Sequence, residues 1–152
     1  MSDDLLPATG RRSAVVYGDA STDASSLDIV ILAAGESTRM RSKIPKVLHL
    51  LAGRPLIDYS LRLADALSPN RPVVVVGRNA DVLMAQIGDR ARYVHQEQRL
   101  GTGHAVLQAR PALQGRSQTV LVFYADMPLV TLESMQALLA LHERNRACGG
   151  VL

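Results

Sequence analysis

Apolar residues cluster sharply along this chain. From Leu27 onward, short runs that are nearly all apolar alternate with longer segments whose apolar positions recur at helical spacing. LDIVILAAG at 27–35, VVVVG at 73–77, a weaker run at 91–95 and TVLVFYAD at 119–126 read as strands. Because these runs do not alternate with polar residues, they are predicted to be covered on both faces, as in a parallel sheet.

The intervening segments read as helices. One opens near Pro55, carries Asp58 in its first turn and the stripe Ile57, Leu61, Ala64 and Leu67, and is stopped by Ser68-Pro69-Asn70. A shorter one spans about 81–87. A third, over about 103–113, buries Ala105, Val106, Ala109 and Leu113. The fourth follows Pro128, with Thr131 as its N-cap and Leu132, Met135, Leu138, Leu139 and His142 inward. Strand and helix in alternation predict a doubly wound α/β fold in three layers with a mostly parallel sheet. Ligands in such sheets bind outside the carboxyl ends of the strands, which directs attention to the loops after Ala33, Val76, His95 and Tyr124. The segment before Leu27 mixes Ser, Thr, Asp and Gly around a short apolar island at 14–17, and the chain ends in what reads as the entry to another strand at 149–152. The expected division is therefore a flexible extension at 1–27 and a fold-forming part at 28–152.

Composition narrows the function. The 152 residues are 47% hydrophobic and 20% charged, which suits one globular core. No apolar run is long enough for a membrane-spanning helix, and the start MSDDLLPATGRR has acids where a signal peptide would have basic residues, so a cytoplasmic protein without a membrane partner is expected. A single cysteine, Cys148, leaves no intramolecular disulfide or multi-cysteine zinc site. Aromatic residues make up 3%, too few for a stacking platform, and no nucleic-acid partner is expected. The net charge of +3 is unevenly placed: Arg39, Arg41, Lys43, Lys46 and Arg54 fall within 37–57 with no acid among them. A local basic loop of this kind favours a polyphosphate ligand.

That loop follows the strand at 27–35 in ILAAGESTRMRSKIPK. The turn Ala33-Ala34-Gly35 lacks bulk, so its backbone amides can approach phosphate oxygens, with Arg39 and Lys46 supplying charge. The chain contains neither G-x-x-x-x-G-K-[ST] nor G-x-G-x-x-G, which excludes the Walker and dinucleotide-binding loops. Asp126 ends an apolar strand, where it either holds a hard divalent cation or caps the turn before Pro128. LGTGH at 100–104 is a turn in which Thr102 caps the next helix, whose amide end favours an anion. His49, His95, His104 and His142 lack metal-ligand spacing, and no Ser or Cys sits in a nucleophile motif.

LAAGESTRMRSKIPKVLHLLAGRPLIDYSL is similar to the opening of sugar-1-phosphate nucleotidyltransferases, in particular the bacterial N-acetylglucosamine-1-phosphate uridyltransferases, and QEQRLGTGHAV and YADMPLV extend the resemblance over 28–152. The resemblance implies a Rossmann-like nucleotidyltransferase fold, truncated here, and transfer of UMP from UTP to N-acetylglucosamine 1-phosphate with Mg2+ as cofactor. Position by position it implies that Leu32, Ala33, Ala34 and Gly35 hold the nucleotide and Arg39 and Lys46 bind its phosphates. It further implies that Gln96 reads the uracil edge, Gly101 and Thr102 pack beside the base, Tyr124 and Ala125 lie near the sugar, and Asp126 binds the metal. Two positions depart: Ala125 stands where the family usually has Gly, so that its methyl would crowd the ligand, and Arg99 replaces a second glutamine. In the family the catalytic domain continues beyond what is present here, supplying a second metal ligand and most sugar contacts, and full-length members homo-oligomerise through a further domain. Cytidylyl transfer, molybdenum-cofactor nucleotidyl transfer, whose L-A-A-G-x-S-x-R-M opening is similar, and an inactive nucleotide-binding fragment are the alternatives.

Overall fold

In a computed structural model of the chain, residues 14–18, 27–35, 42, 44–78, 80–113, 117–145 and 149–151 are described. Four strands run parallel: β2 (Leu27–Leu32) lies between β5 (Val73–Val76) and β7 (Thr119–Tyr124), and β6 (Arg92–His95) flanks β5. Each is joined to the next by one helix or more: α1 (Leu56–Leu67) after β2, α2 (Ala80–Ile87) after β5, α3 (Thr102–Leu113) after β6 and α4 (Leu132–Asn145) after β7.

The pleat explains why the strands are apolar throughout. Ile29, Ile31, Val74, Val76, Leu121 and Phe123 face one layer, where α1, α2 and α4 contribute Ile57, Leu61, Leu83, Met135 and Leu138. Their neighbours Val30, Val73, Val75 and Val122 face the opposite layer, against Ala105 and Ala109 of α3. All four valines of β5 are 0% exposed. Alternation within a strand therefore distributes apolar groups between two cores, not between core and water. The doubly wound three-layer architecture is as expected. Ser68 and Asn70, which end α1, donate from Oγ and Nδ2 to the Leu27 carbonyl at 2.7 and 3.1 Å, tying the start of β2 to the helix stop. At α4, the Ser134 amide donates to Thr131 Oγ1 at 3.3 Å, the expected N-cap.

Three features differ from expectation. Residues Ala14–Gly18 form β1, which pairs antiparallel with β7 from Ala14↔Phe123 to Gly18↔Thr119, so this stretch of the expected extension lies within the sheet. β8 (Gly149–Val151) is the strand expected at 149–152, but it pairs antiparallel with β1, giving the order β6-β5-β2-β7-β1-β8. A two-residue hairpin, β3 (Leu50–Leu51) and β4 (Arg54–Pro55), turns through Ala52 and Gly53 at φ 49° and 77°. That pair of positive φ values belongs to a hairpin turn in which Asn-Gly is the usual signal, so Ala-Gly left it unread.

The buried carboxylate of Asp28, beside Leu27 at the start of β2, is 0% exposed and accepts from Arg92 Nη2 at 2.9 Å and Ser117 Oγ at 3.1 Å. Arg92 donates onward to the Ala112 carbonyl at 2.7 Å and the Arg71 carbonyl at 3.1 Å. This network lies at the amino ends of the strands, opposite the loops in which ligands of such folds bind.

Candidate functional site

The carboxyl ends of β2, β6 and β7 meet around a cleft of about 320 Å³. Its floor is the turn Ala33–Gly35. The Ala33 amide donates to the Val75 carbonyl at 2.9 Å and the Ala125 amide to the Leu32 carbonyl at 3.0 Å, which fastens the turn to both neighbouring strands. A Cβ at Gly77 would lie 3.0 Å from the Ala34 carbonyl oxygen and 3.3 Å from its Cα. Gly77 thus permits the close approach between the end of β5 and this turn, a role its place at the end of a valine run signals only once the neighbours are known. Among the described residues, a Cβ at Gly35 would meet nothing within 4 Å, so the backbone there is open to an approaching group.

Across the cleft, Lys46 Nζ lies 2.5 Å from Asp126 Oδ2, with both side chains part-exposed at 43% and 31%. Lys46 begins a single 3-10 turn after Pro45, anchored by the buried Val47. Asp126 follows the end of β7, which α1 steadies through Ser60 Oγ donating to the Tyr124 carbonyl at 3.2 Å. Among the described residues the partner of this carboxylate is the Lys46 cation, and both groups line the cleft.

On the third side, Gln96 is 6% exposed, and its Nε2 donates to the Gly101 carbonyl at 3.1 Å and lies 3.0 Å from His104 Nδ1. Gly101 has φ 102°, a conformation that favours glycine. Its carbonyl also accepts from the Ala105 amide at 3.2 Å, so α3 begins at Thr102 and Gly101, not Thr102, occupies the capping position.

The structure thus brings Leu32, Ala33, Ala34, Gly35, Lys46 and Gln96 to one cleft, together with Gly101, Thr102, Tyr124 and Asp126. Ala125 does not join them. It is 0% exposed and its methyl packs in the hydrophobic core, because the residue between Tyr124 and Asp126 points to the other side of the chain. This methyl, expected to crowd a ligand, therefore does not line the cleft. Arg39 lies outside the described residues. Val47, Arg99 and Ala105 also line the cleft, and His104 stands behind Gln96; the GTGH sequence contained that histidine, but only the turn at Gly101 reveals what it faces. Among the described residues no group of three or more His, Cys, Asp or Glu side chains is placed to enclose a metal. A lone carboxylate suits a cation that completes its shell with phosphate oxygens and water, the usual habit of Mg2+. No helix among the described residues is long and apolar enough to cross a membrane.

Residues 29–151 match the family profile of the MobA-like NTP transferase domain. The chain is 44% identical over 123 residues to "Bifunctional protein GlmU" of Halalkalibacterium halodurans, an alignment that covers 81% of this chain and 27% of that protein. The chain thus spans about a quarter of the length of the curated relatives it matches. Among solved structures it superimposes on Rv0371C of Mycobacterium tuberculosis H37Rv in complex with manganese, with a TM-score of 0.65 at 19% identity, covering 80% of this chain and 62% of that one. It also superimposes on 4-diphosphocytidyl-2C-methyl-D-erythritolsynthase of Anaerococcus prevotii, with a TM-score of 0.62 at 16% identity, covering 78% and 52%. At these identities the two structures speak for the fold alone.

Proposed function

Since the chain belongs to the MobA-like NTP transferase domain family, we propose that its cleft binds UTP and serves transfer of UMP to N-acetylglucosamine 1-phosphate, releasing pyrophosphate and giving UDP-N-acetylglucosamine. The observation that carries this reading is the meeting of Lys46 and Asp126 beside the open backbone of Gly35. One cation and one carboxylate at the end of a parallel sheet suit a ligand that brings both phosphates and a divalent ion.

Both reactants are anions, so the barrier is largely electrostatic. Lys46 would bind a phosphate oxygen of the nucleotide and offset charge on the departing pyrophosphate, a role the resemblance also gives to Arg39. The Ala33–Gly35 turn would hold the phosphates close to its amides. Gln96 and Gly101 would take the base. Asp126 would hold Mg2+, which when bound supplies further charge neutralisation at the phosphates. The attacking sugar phosphate is already ionised at neutral pH, so no side chain has to remove a proton from it.

The test is pyrophosphate release from UTP and N-acetylglucosamine 1-phosphate with Mg2+, together with equilibrium binding of UTP. Lys46→Ala and Asp126→Ala are each expected to weaken UTP binding in the presence of Mg2+, and to lower any turnover by about 10²- to 10³-fold. Unchanged binding and turnover in both variants would remove the assignment.

A further inference from the structure

The Gln96 amide is held by groups that leave it one orientation. A backbone carbonyl only accepts hydrogen bonds, so the atom facing Gly101 O at 3.1 Å is the amide nitrogen. That nitrogen carries two hydrogens and no free lone pair for bonding, so His104 Nδ1, 3.0 Å away, meets it as an acceptor and the imidazole proton sits on Nε2. His104 Nε2 lies 3.2 Å from Gln108 Nε2; two donors cannot pair, so the Gln108 amide, whose two ends are interchangeable by a half-turn, is assigned with its oxygen toward the ring, accepting the hydrogen bond from Nε2–H. Both hydrogens on Gln96 Nε2 are then taken inside the protein. What Gln96 has left to offer the cleft is Oε1, an acceptor.

We infer that His104 is a positioning residue for base selection: by accepting the second amide hydrogen of Gln96, it keeps the Gln96 oxygen as the group presented to the base. This rests on the reading of the cleft as a UTP site. With that oxygen set against N3, uracil satisfies it with the N3 hydrogen, whereas N3 of cytosine is a bare acceptor and is repelled by it. Reversing the amide would set its oxygen against two acceptors, Gly101 O and His104 Nδ1. Without the imidazole only the Gly101 carbonyl opposes reversal, and Gln96, at 6% exposure, retains an unpaired hydrogen that favours reorientation.

The experiment is equilibrium titration of the full chain with UTP, CTP and tripolyphosphate in the presence of Mg2+, for the unaltered protein, His104→Ala and His104→Asn, with thermal unfolding of each. Asparagine can place its oxygen near the position of Nδ1 and so restores the acceptor. The unaltered chain is expected to prefer UTP over CTP. His104→Ala should lose about tenfold of that preference, the worth of one hydrogen bond, and His104→Asn should keep most of it, with tripolyphosphate binding equal in all three. A UTP-to-CTP ratio unchanged in His104→Ala overturns the role of His104 while leaving the UTP reading intact. So does an asparagine variant as indiscriminate as the alanine one, or a parallel loss of tripolyphosphate binding, which would mean that the whole loop had moved. An unaltered chain that prefers CTP, or neither nucleotide, overturns the UTP reading and the proposal with it.

Discussion

Lys46 and Asp126, eighty residues apart in sequence, are in direct contact through Nζ and Oδ2. Each is the other's competitor for what the cleft is proposed to bind: the lysine for phosphate, the carboxylate for a cation. Asp126→Asn keeps the shape and removes the charge, which releases Lys46. The expected outcome is two opposite changes. Without divalent metal, UTP should bind about two- to fivefold more tightly, the range set by a part-exposed ion pair worth less than about 1 kcal/mol. The enhancement of binding by Mg2+ should disappear. Calorimetric titration with EDTA and with Mg2+ measures both, and a variant that still responds to Mg2+ would exclude Asp126 as the metal ligand.

Gly77→Ala tests the packing beneath the phosphate turn. The new methyl would stand 3.0 Å from the Ala34 carbonyl oxygen, backbone that is itself fastened to β5 through the Ala33 amide. The turn has to shift by a few tenths of an ångström. UTP binding is expected to weaken about tenfold, while stability falls by about 1–2 kcal/mol, in the range of overpacking in a tight contact. Urea unfolding and UTP titration on the same variant separate the two effects. Equal affinity with lowered stability would show that the turn does not touch the ligand.

How far the sequence led depends on the range of the interactions involved. The four parallel strands and four helices were legible because their patterns are local: Val73–Val76 has no polar residue to face water, and Ile57, Leu61 and Ala64 recur at helical spacing. β1 was not. Ala14–Gly18 is a five-residue island whose pairing with β7 joins positions more than a hundred residues apart, and no local pattern announces such a partner. The cleft residues were found through motifs, and the structure gathers them. The burial of Ala125 was missed because a side chain's face at a strand end depends on where the pleat stops, and the link from Gln96 to His104 because it depends on the φ of Gly101.

At the opposite end of the sheet, Asp28 gives a prediction of stability without function. Arg92 is its charged partner and at 24% side-chain exposure is itself mostly covered. Arg92→Met removes the cation and leaves an anion that is 0% exposed with only Ser117 bonded to it among the described residues. Breaking a buried pair from one side costs about 3–5 kcal/mol, and the companion change Asp28→Leu should recover much of it by removing the stranded charge. Denaturant unfolding of the two single variants and the double variant checks this. Full additivity of the two single losses would contradict the coupling.

The last prediction concerns acid. Burial by itself raises the pKa of Asp58, but hydrogen bonds and charge from Arg90 and Arg62 outweigh it and hold the carboxyl below the usual carboxylate value. Arg90 donates to Asp58 Oδ1 at 2.6 Å and to Asp65 Oδ2 at 3.1 Å, pinning the turn after α2 to α1. A carboxyl whose folded pKa is depressed binds fewer protons when folded than when unfolded, so it adds stability above the unfolded value of about 4, and this is lost as pH falls through the lower folded value. Arg90→Ala removes the strongest of these partners. The variant should be less stable than the parent at pH 7 by about 1 kcal/mol, a modest figure because Arg90 is 40% exposed, and the gap should narrow once the pH drops below about 4. Thermal unfolding of both chains across that range measures it, and a gap constant with pH would place the effect of Arg90 in packing and not in its charge.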